Sequence, residues 1–357
     1  MPESREFFDA HAHMSFAPDV IPFASWFTER FAGAFSTTVS PADYRFAQQA
    51  LASFPKIKVG VGAHPWWVAQ GKISDEDKAL LPDLVANARY IGEVGLDFGK
   101  NGLAKSVFAT DDETKQAQIE VLRTIFAAAK KSPVPSAVEG TEGAEEAERT
   151  EGVGEAKGGR VFSFHAVRGA DVVIDMLEEY ELLEDNTIIF HWFSGSSAQL
   201  KRARDLGCFF SVNAFMLSTK RGREYAKAIP LDRLLIETDL PEETSIDACA
   251  EGSQTCKQAT EAVEARYASM LEEAYREIVA LRGEDALDAA DRIDGNGRVR
   301  SDAPEEIKTA WLHARLALGG EDVASDAEIS SLSFGVLGLI DPMHRYAHLL
   351  KLACEIG

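Results

Sequence analysis

Histidines and carboxylates stand at the ends of short apolar runs in this chain. The first run ends in Asp9-Ala10-His11-Ala12-His13. Because alternate side chains of a strand face the same way, Asp9, His11 and His13 are expected on one side of it. Two imidazoles two residues apart can chelate a metal ion. Buried or surface histidines that bind nothing give the same spacing, so this pair is weak evidence by itself.

Later runs repeat the pattern, and together they carry more weight than the first pair. Glu93 lies inside the apolar run Tyr90–Leu96, where an unpaired carboxylate would be costly. The other polar residues at run ends are His64, His165, His191 and Asp239. Imidazole and carboxylate ligands without a thiolate indicate Zn²⁺, Mn²⁺, Mg²⁺ or Fe²⁺. Four histidines and two carboxylates suffice for two ions that share one carboxylate, and such a pair can activate water and hold an ester or phosphoryl oxygen.

The apolar runs themselves must position these residues. Eight of them have the length and the Val, Ile and Phe content of buried parallel strands: Phe7–His13, Ala34–Val39, Ile57–Ala63, Tyr90–Leu96, Val161–Ala166, Thr187–Phe193, Cys208–Ala214 and Leu234–Thr238. Helical patterns lie at Pro41–Phe54, Ser74–Ala88, Thr114–Lys130, Ala170–Leu183, Ser197–Leu206, Lys220–Ile229 and Ala259–Leu281. This alternation predicts an α/β fold, a (β/α)₈ TIM barrel, which builds its active site at the C-terminal ends of its strands. A doubly wound open sheet is the alternative, because a sequence does not show whether the sheet closes.

Two segments interrupt the alternation. The chain has 357 residues, whereas a barrel typically occupies about 250. We therefore predict a barrel domain over residues 1–299 and a C-terminal helical extension over residues 300–357. Residues 133–160 are rich in Gly, Glu and Ala, and we expect a flexible acidic insert there, before the fifth strand.

Charge and composition exclude several classes of protein. The net charge of −21 argues against a protein that coats nucleic acid non-specifically, because phosphate binding requires clustered Lys and Arg. No apolar run approaches the roughly 20 residues that span a bilayer, and the N-terminus lacks the pattern of a secretion signal. The four cysteines show no CxxC spacing. We expect a cytoplasmic protein with no membrane association and no evident stable protein partner.

Six short motifs occur in a specific order along the chain: DAHAH, GAHPW, GEVGLDF, SFHAVR, FHWFSGS and LIETDLP. In this order they resemble the TatD family of metal-dependent hydrolases, whose members are often described as deoxyribonucleases. The resemblance extends over roughly residues 7–300 and includes a closing helix at Tyr275–Asn296. It implies a TIM barrel of the amidohydrolase type that hydrolyses phosphodiester bonds, typically in DNA.

The resemblance also implies a role for each matching residue. One divalent ion (Zn, Mg or Mn) would be held by His11, His13 and Asp239, a second by His165 and His191, and Glu93 would bridge the two. Asp239 would also take the proton from the attacking water. His64 would contact the phosphate of the substrate, although a packed loop histidine is the alternative. Glu237 is expected to orient its neighbours or cap its strand.

Two features depart from the family pattern. Many relatives have an arginine two residues after the fifth-strand histidine, whereas here Arg168 stands three residues after His165. Its guanidinium can still offer a bidentate fork to phosphate. The stretch 242–247 after Asp239 is acidic and would repel a long polyanion, whereas Lys100 and Lys105 could supply positive charge. Trp66, Trp67, Trp192 and Phe193 could stack on a base or pack under loops.

Three functions remain open at this point. The leading hypothesis is a two-metal phosphodiesterase that acts on DNA ends or short oligonucleotides. An amidohydrolase-like enzyme that cleaves a small ester, lactone or amide would use the same ligands and suits the acidic composition better. A binding or scaffold protein is the third, and the full set of ligand types disfavours it because a scaffold has no need of them.

Overall fold

The computed structural model describes residues 7–135, 159–243 and 253–290. Most of the predicted insert and the whole of the extension over residues 300–357 lie outside the described residues. The strands are β1 (Phe8–Ala12), β2 (Gly33–Ser36), β3 (Ile57–Val59), β4 (Val61–Ala63), β5 (Tyr90–Asp97), β6 (Val161–Val167), β7 (Thr187–His191), β8 (Phe209–Val212) and β9 (Leu234–Ile236). All of the predicted strands are therefore present, and the third is divided in two.

Helices connect these strands and surround them. They are α1 (Val20–Arg30), α2 (Pro41–Ala50), α3 (Pro65–Ala69), α4 (Asp75–Ala86), α5 (Lys100–Leu103), α6 (Asp111–Lys131), α7 (Ala170–Glu179), α8 (Ser197–Asp205), α9 (Ala214–Leu217), α10 (Lys220–Ala228) and α11 (Gln254–Ala290). Four of them, α1, α3, α5 and α9, were not among the predicted helices. No helix in the described ranges is long and apolar enough to cross a membrane.

The strands are all parallel and form two sheets, β1–β2–β3 and β4 to β9 in chain order. β3 and β4 are two parts of the single predicted strand Ile57–Ala63, separated at Gly60, so that β3 pairs with β2 and β4 pairs with β5. A side chain at Gly60 would meet the ring of Phe35 at 2.6 Å, which explains the glycine. This one run therefore links the two sheets.

The other junction joins the last strand to the first. The N–H of Asp239 donates to the carbonyl of His11 at 3.0 Å, and the N–H of His13 donates to the carbonyl of Leu240 at 2.8 Å. Among the described residues the hydrogen-bonded pairing of strands is not continuous. When β3 and β4 are counted as one strand, however, eight strands follow one another in chain order and the last contacts the first. The arrangement is the predicted (β/α)₈ barrel, and the contact between β1 and the end of β9 argues against the open sheet.

Alternation along the strands separates a barrel interior from the layer beneath the helices. In β6, Val161, Ser163 and His165 face the interior, whereas Phe162 and Phe164 pack in the main hydrophobic core. The bottom of the interior is filled by Phe35, Val161, Ile189 and Phe209 with Phe8, Tyr90 and Leu235 around them. Polar side chains then occupy the upper end, where the C-terminal ends of the strands lie.

β1 breaks the alternation, and one expectation from the sequence is wrong as a result. The pairing of β1 with β2 shifts register just after Asp9, so that His11 turns to the barrel interior while Asp9 does not. Asp9 instead accepts hydrogen bonds from the hydroxyls of Thr238, at 2.6 Å, and Tyr267 on α11. It therefore ties the first strand to the last strand and the last helix rather than joining His11 and His13.

Candidate metal centre

Glu93 lies at the centre of the polar upper layer, and its Oε2 faces one group of ligand atoms. A register shift in β5 between Ile91 and Val94 brings its side chain into the barrel, where it is 2% exposed. Oε2 lies 3.4 Å from His11 Nε2 and 3.3 Å from His13 Nε2. Asp239 Oδ1 lies 3.6 and 3.3 Å from the same two nitrogens.

These separations suit ligands of one metal ion. Two bonds of about 2.1 Å at a tetrahedral angle place their ligand atoms about 3.4 Å apart. The ligand atoms of His11, His13, Glu93 and Asp239 all lie within 4.8 Å of one another, and the first three residues are buried. The geometry can therefore accommodate a cation among these four side chains.

The other carboxylate oxygen of Glu93 faces a second group of imidazoles. Oε1 lies 2.9 Å from His165 Nδ1, 2.8 Å from His191 Nε2 and 3.1 Å from His64 Nε2. The nitrogens of His165 and His191 are themselves 3.4 Å apart. One carboxylate thus presents one oxygen to each group, which is the arrangement that a bridging ligand requires.

Hydrogen bonds on the outer side of the rings decide which nitrogen is available to a metal. Nδ1 of His13 lies 3.2 Å from the carbonyl of Thr37, which can only accept, so the neutral ring keeps its proton on Nδ1 and directs the lone pair of Nε2 inward. Ser163 Oγ stands 2.7 Å from Nδ1 of His11 in the same outward position. Such hydrogen-bond partners behind the rings are typical of histidines that ligate metals.

His64 has the opposite arrangement. Its Nδ1 accepts a hydrogen bond from the backbone N–H of Trp66 at 3.0 Å, so the neutral ring carries its proton on Nε2. Burial lowers the pKa of His64, against the attraction of Glu93, and this favours the neutral ring. The nitrogen that faces Glu93 is therefore a donor. His64 fits a hydrogen bond to an anionic oxygen better than it fits metal ligation.

Glu237 lies behind His191 rather than among the ligands. It accepts hydrogen bonds from the hydroxyl of Ser211 and from Asn213 Nδ2, the latter at 2.9 Å. Its Oε1 is 3.7 Å from His191 Nδ1 and it is fully buried. This position agrees with the expectation that Glu237 orients its neighbours.

The carboxylates favour positive charge between them. Burial acts to lower the pKa of His13, but Asp239 and Glu93 outweigh it and raise that pKa to about 10. The same balance of burial against nearby carboxylates raises the pKa of His165 and His191. Burial acts to raise the pKa of Glu93, but the surrounding histidines hold it well below its usual range. The ionised carboxylates therefore favour positive charge in this cluster. A divalent cation bound by the imidazoles and carboxylates would supply that charge.

A cavity of about 730 Å³ lies over this cluster. Arg168 and Lys100 line it and are exposed at its rim, and neither side chain has an ion-pair partner in the described part of the chain. The acids Glu242 and Glu243 also line it, but they pair with Arg266 at 2.8 Å and with Lys72 at 2.7 Å. The expected repulsion by this acidic stretch is thus partly balanced, and Lys105 does not line the cavity.

The structure brings seven of the eight sequence-predicted site residues to the lining of one cavity: His13, His64, Glu93, His165, Arg168, His191 and Asp239. The eighth, His11, is fully buried and lies in the ligand group of His13, Glu93 and Asp239. It also adds residues that the sequence did not single out, the outer partners Thr37, Ser163 and Asp97. Asp97 and Ser163 each stand in a motif found in the sequence, GEVGLDF and SFHAVR, whereas Thr37 stands in none of them.

Comparisons with known proteins identify the family of the chain. Residues 8–147 and 156–298 match a protein-family model described as TatD related DNase. The chain is 27% identical over 199 residues to the uncharacterized metal-dependent hydrolase YabD of Bacillus subtilis, covering 55% of this chain and 63% of that protein. It is 26% identical over 202 residues to the 3'-5' ssDNA/RNA exonuclease TatD of Escherichia coli K12, covering 55% and 62%. The chain thus spans less than two thirds of the length of these relatives.

Solved structures show the same fold. The TatD homolog YJJV of Escherichia coli K12 superposes with a TM-score of 0.53 at 19% identity, covering 88% of this chain and 98% of that one. An uncharacterized amidohydrolase from Saccharomyces cerevisiae superposes with a TM-score of 0.50 at 15% identity, covering 98% and 99%. At these identities the likeness concerns the fold alone.

Proposed function

The chain belongs to the TatD related DNase family, and from that premise we propose that it is a metal-dependent hydrolase that cleaves phosphodiester bonds in DNA ends or short oligonucleotides. The observation that carries the proposal is the position of Glu93, with one carboxylate oxygen toward each of two ligand groups. That arrangement is needed for chemistry with two adjacent ions.

We assign two divalent ions, Zn, Mg or Mn, to the two groups. His11, His13 and Asp239 hold the first, His165 and His191 hold the second, and Glu93 is shared. When bound, the ions supply a Lewis acid for the phosphodiester and lower the pKa of the attacking water. The relative YabD is itself named a metal-dependent hydrolase.

Asp239 serves as the general base in this proposal. Its side chain is 21% exposed and lines the cavity, whereas Glu93 is 2% exposed. Burial acts to raise its pKa, but the adjacent histidines, His13 foremost, hold it below its usual range, so the carboxylate is ionised near neutral pH. An ionised carboxylate that both contacts the ligand group and faces the cavity can accept a proton from water.

His64 and Arg168 hold the phosphate of the substrate. The Nε2–H of His64 faces Oε1 of Glu93, and His64 lines the cavity, so this N–H can donate to a phosphate oxygen that approaches the cluster. Arg168 is exposed at the rim of the same cavity and offers two parallel N–H donors. Two donors in the same cavity would help to orient a phosphodiester for attack.

The substrate in this proposal is a strand end or a short oligonucleotide rather than a long duplex. The net charge of −21 disfavours extended contact with a polyanion, and the unpaired cations at the cavity are confined to its rim. Related proteins named 3'-5' ssDNA/RNA exonuclease support a single-stranded end. A cytoplasmic location is part of the same proposal.

A single-turnover assay tests this function. A labelled single-stranded oligonucleotide is incubated with excess protein and Mg²⁺ or Mn²⁺, and product is resolved over time. We expect cleavage that depends on the added ion and that falls strongly in Arg168→Ala. Arg123→Ala removes an exposed arginine of α6 outside the cavity and should cleave as the wild type does. No cleavage above a chelated sample would overturn the proposal.

A further inference from the structure

Trp192 and Phe215 form a stacked aromatic pair at the mouth of the cavity. Their ring centroids are 5.6 Å apart and the rings are inclined by 12°. Each residue is 37% exposed, whereas most large apolar side chains of the described chain are buried. Large aromatic side chains usually stabilise a protein by being buried, and these two rings are partly exposed to solvent instead. A role in binding explains their exposure better than a role in the core.

The backbone holds Trp192 in an unusual conformation. Its φ angle is +38°, a left-handed value that is a genuine outlier for a bulky residue. The conformation is secured by a hydrogen bond from its N–H to the carbonyl of Ser211 at 3.1 Å. Residues held in such conformations cluster at functional sites. Here the consequence is that the indole directly after His191 is turned to the cavity, which it lines.

Phe215 supports the indole from outside the cavity, because it stacks on Trp192 but is not among the lining residues. It stands on α9, whose start is capped by the side chain of Asn213 through the N–H of Met216 at 2.8 Å. Asn213 also donates to Glu237, the carboxylate behind His191. The aromatic pair is therefore anchored to the same network that surrounds the metal centre.

We propose that the Trp192–Phe215 pair is a stacking platform for one nucleobase of the substrate, next to the cleaved phosphate. The inference rests on the proposed function and specifies how a single strand is held. Lys100 and Arg168 line the same cavity and supply the positive charge that the flanking phosphates require. Stacking uses the π-face that every base has, so the platform is tolerant of sequence.

The test compares a normal oligonucleotide with copies that carry a single abasic residue, placed at each position in turn. Kinetic constants are measured for the wild type, Trp192→Ala and Trp192→Phe. We expect Trp192→Ala to lose about 5- to 150-fold in kcat/KM on the normal strand, mainly through KM, which is the usual range for one base–aromatic stack. With the abasic residue at the position that stacks, wild type and variant should become equal. Trp192→Phe should keep most of the preference for the base.

Two controls separate stacking from disturbance of the fold. Phe46→Ala removes an aromatic side chain that is 53% exposed and lies outside the cavity, and it should behave as the wild type on every strand. Metal content and thermal melting of Trp192→Ala should match the wild type. If Trp192→Ala loses the same factor on normal and abasic strands at every position, the residue is only structural and the platform is wrong.

Binding distinguishes failure of the platform from failure of the proposed function. Fluorescence anisotropy of a labelled single-stranded pentanucleotide, measured with and without one abasic position, requires no turnover. Binding that weakens in Trp192→Ala only when the base is present supports the platform even if the wild type fails to cleave. Equal binding of wild type and variant to the normal strand would overturn the platform even if cleavage is observed.

Discussion

The carboxylate of Asp97 lies 3.0 Å from His165 Nε2, on the opposite side of the imidazole from Glu93 Oε1, which lies 2.9 Å from Nδ1. Asp97 is 1% exposed and also accepts hydrogen bonds from Trp66 Nε1 at 2.6 Å and from the N–H of Gly99 at 2.7 Å. These contacts hold the acceptor in place and keep the ring proton on Nε2. A carboxylate outside the proposed ligand set thus fixes which nitrogen of His165 faces the centre.

Asp97→Asn should weaken the second metal position without unfolding the protein. The asparagine amide keeps the shape of the side chain. It has no negative charge, so it no longer stabilises the proton on Nε2 of His165. We expect a loss of about 10- to 100-fold in metal affinity, the usual effect of removing such a partner. Competition with a coloured chelator measures it, and thermal melting checks the fold. Unchanged affinity at both positions would show that the imidazole is oriented by other contacts.

Glu93→Ala should affect both positions at once, because each oxygen of Glu93 faces a different group. Two cations that lose their shared anion repel one another, so we expect weaker binding at the first position, loss of most metal at the second, and loss of nearly all activity. Elemental analysis of the dialysed protein gives the stoichiometry. Glu120→Ala removes an exposed acid of α6 and serves as the control. A full metal complement in Glu93→Ala would refute the bridge.

Asp239→Asn separates metal binding from proton transfer. The amide oxygen can still coordinate, so some metal should remain, whereas a neutral amide cannot accept the proton of water near neutral pH. The expected loss in kcat is about 10²- to 10⁴-fold, the usual contribution of a positioned base. Metal content and single-turnover rate are measured on the same preparation. Turnover close to that of the wild type would mean that the base is a different group.

His64→Ala should behave differently from the ligand variants. Because Nε2 of His64 carries the proton, its loss should leave metal content intact and raise KM more than it lowers kcat. Steady-state kinetics with elemental analysis distinguishes the two roles. Loss of metal together with activity would identify His64 as a ligand despite its hydrogen bond from Trp66.

Much of the fold could be predicted because parallel barrel strands are short apolar runs that differ from the helices between them. The match to TatD-like barrels confirms the (β/α)₈ prediction. The short helices α3, α5 and α9 have four or five residues and are too brief to show helical periodicity. α1 is different, because Phe23, Ala24 and Phe27 are buried at helical spacing and could have been recognised.

The residue types of the candidate site could be predicted from the sequence, but the side chains that hydrogen-bond the histidines from behind could not. Asp239 and the histidines stand at strand ends, where the barrel brings them together. The hydrogen-bond partners that orient the histidines come from other strands: Ser163 is 152 residues from His11, and Asp97 is 68 residues from His165. Local sequence does not encode the relative register of such strands. The bulge that turns Asp9 away is likewise a property of strand pairing.

Proton release should accompany metal binding at neutral pH. Glu93 and Asp239 raise the pKa of His13 to about 10, so the ring is protonated at pH 7, and Nε2 must lose that proton before it can ligate. Apparent affinity should therefore increase as pH rises toward 10, by up to about tenfold per unit for each proton released. Calorimetric titrations in buffers of different ionisation heat count the protons.

The pKa of His64 is lowered, so His64→Ala should release as many protons as the wild type, whereas His13→Gln should release about one fewer. Equal proton release by His13→Gln and the wild type would show that His13 does not bind the ion in this way.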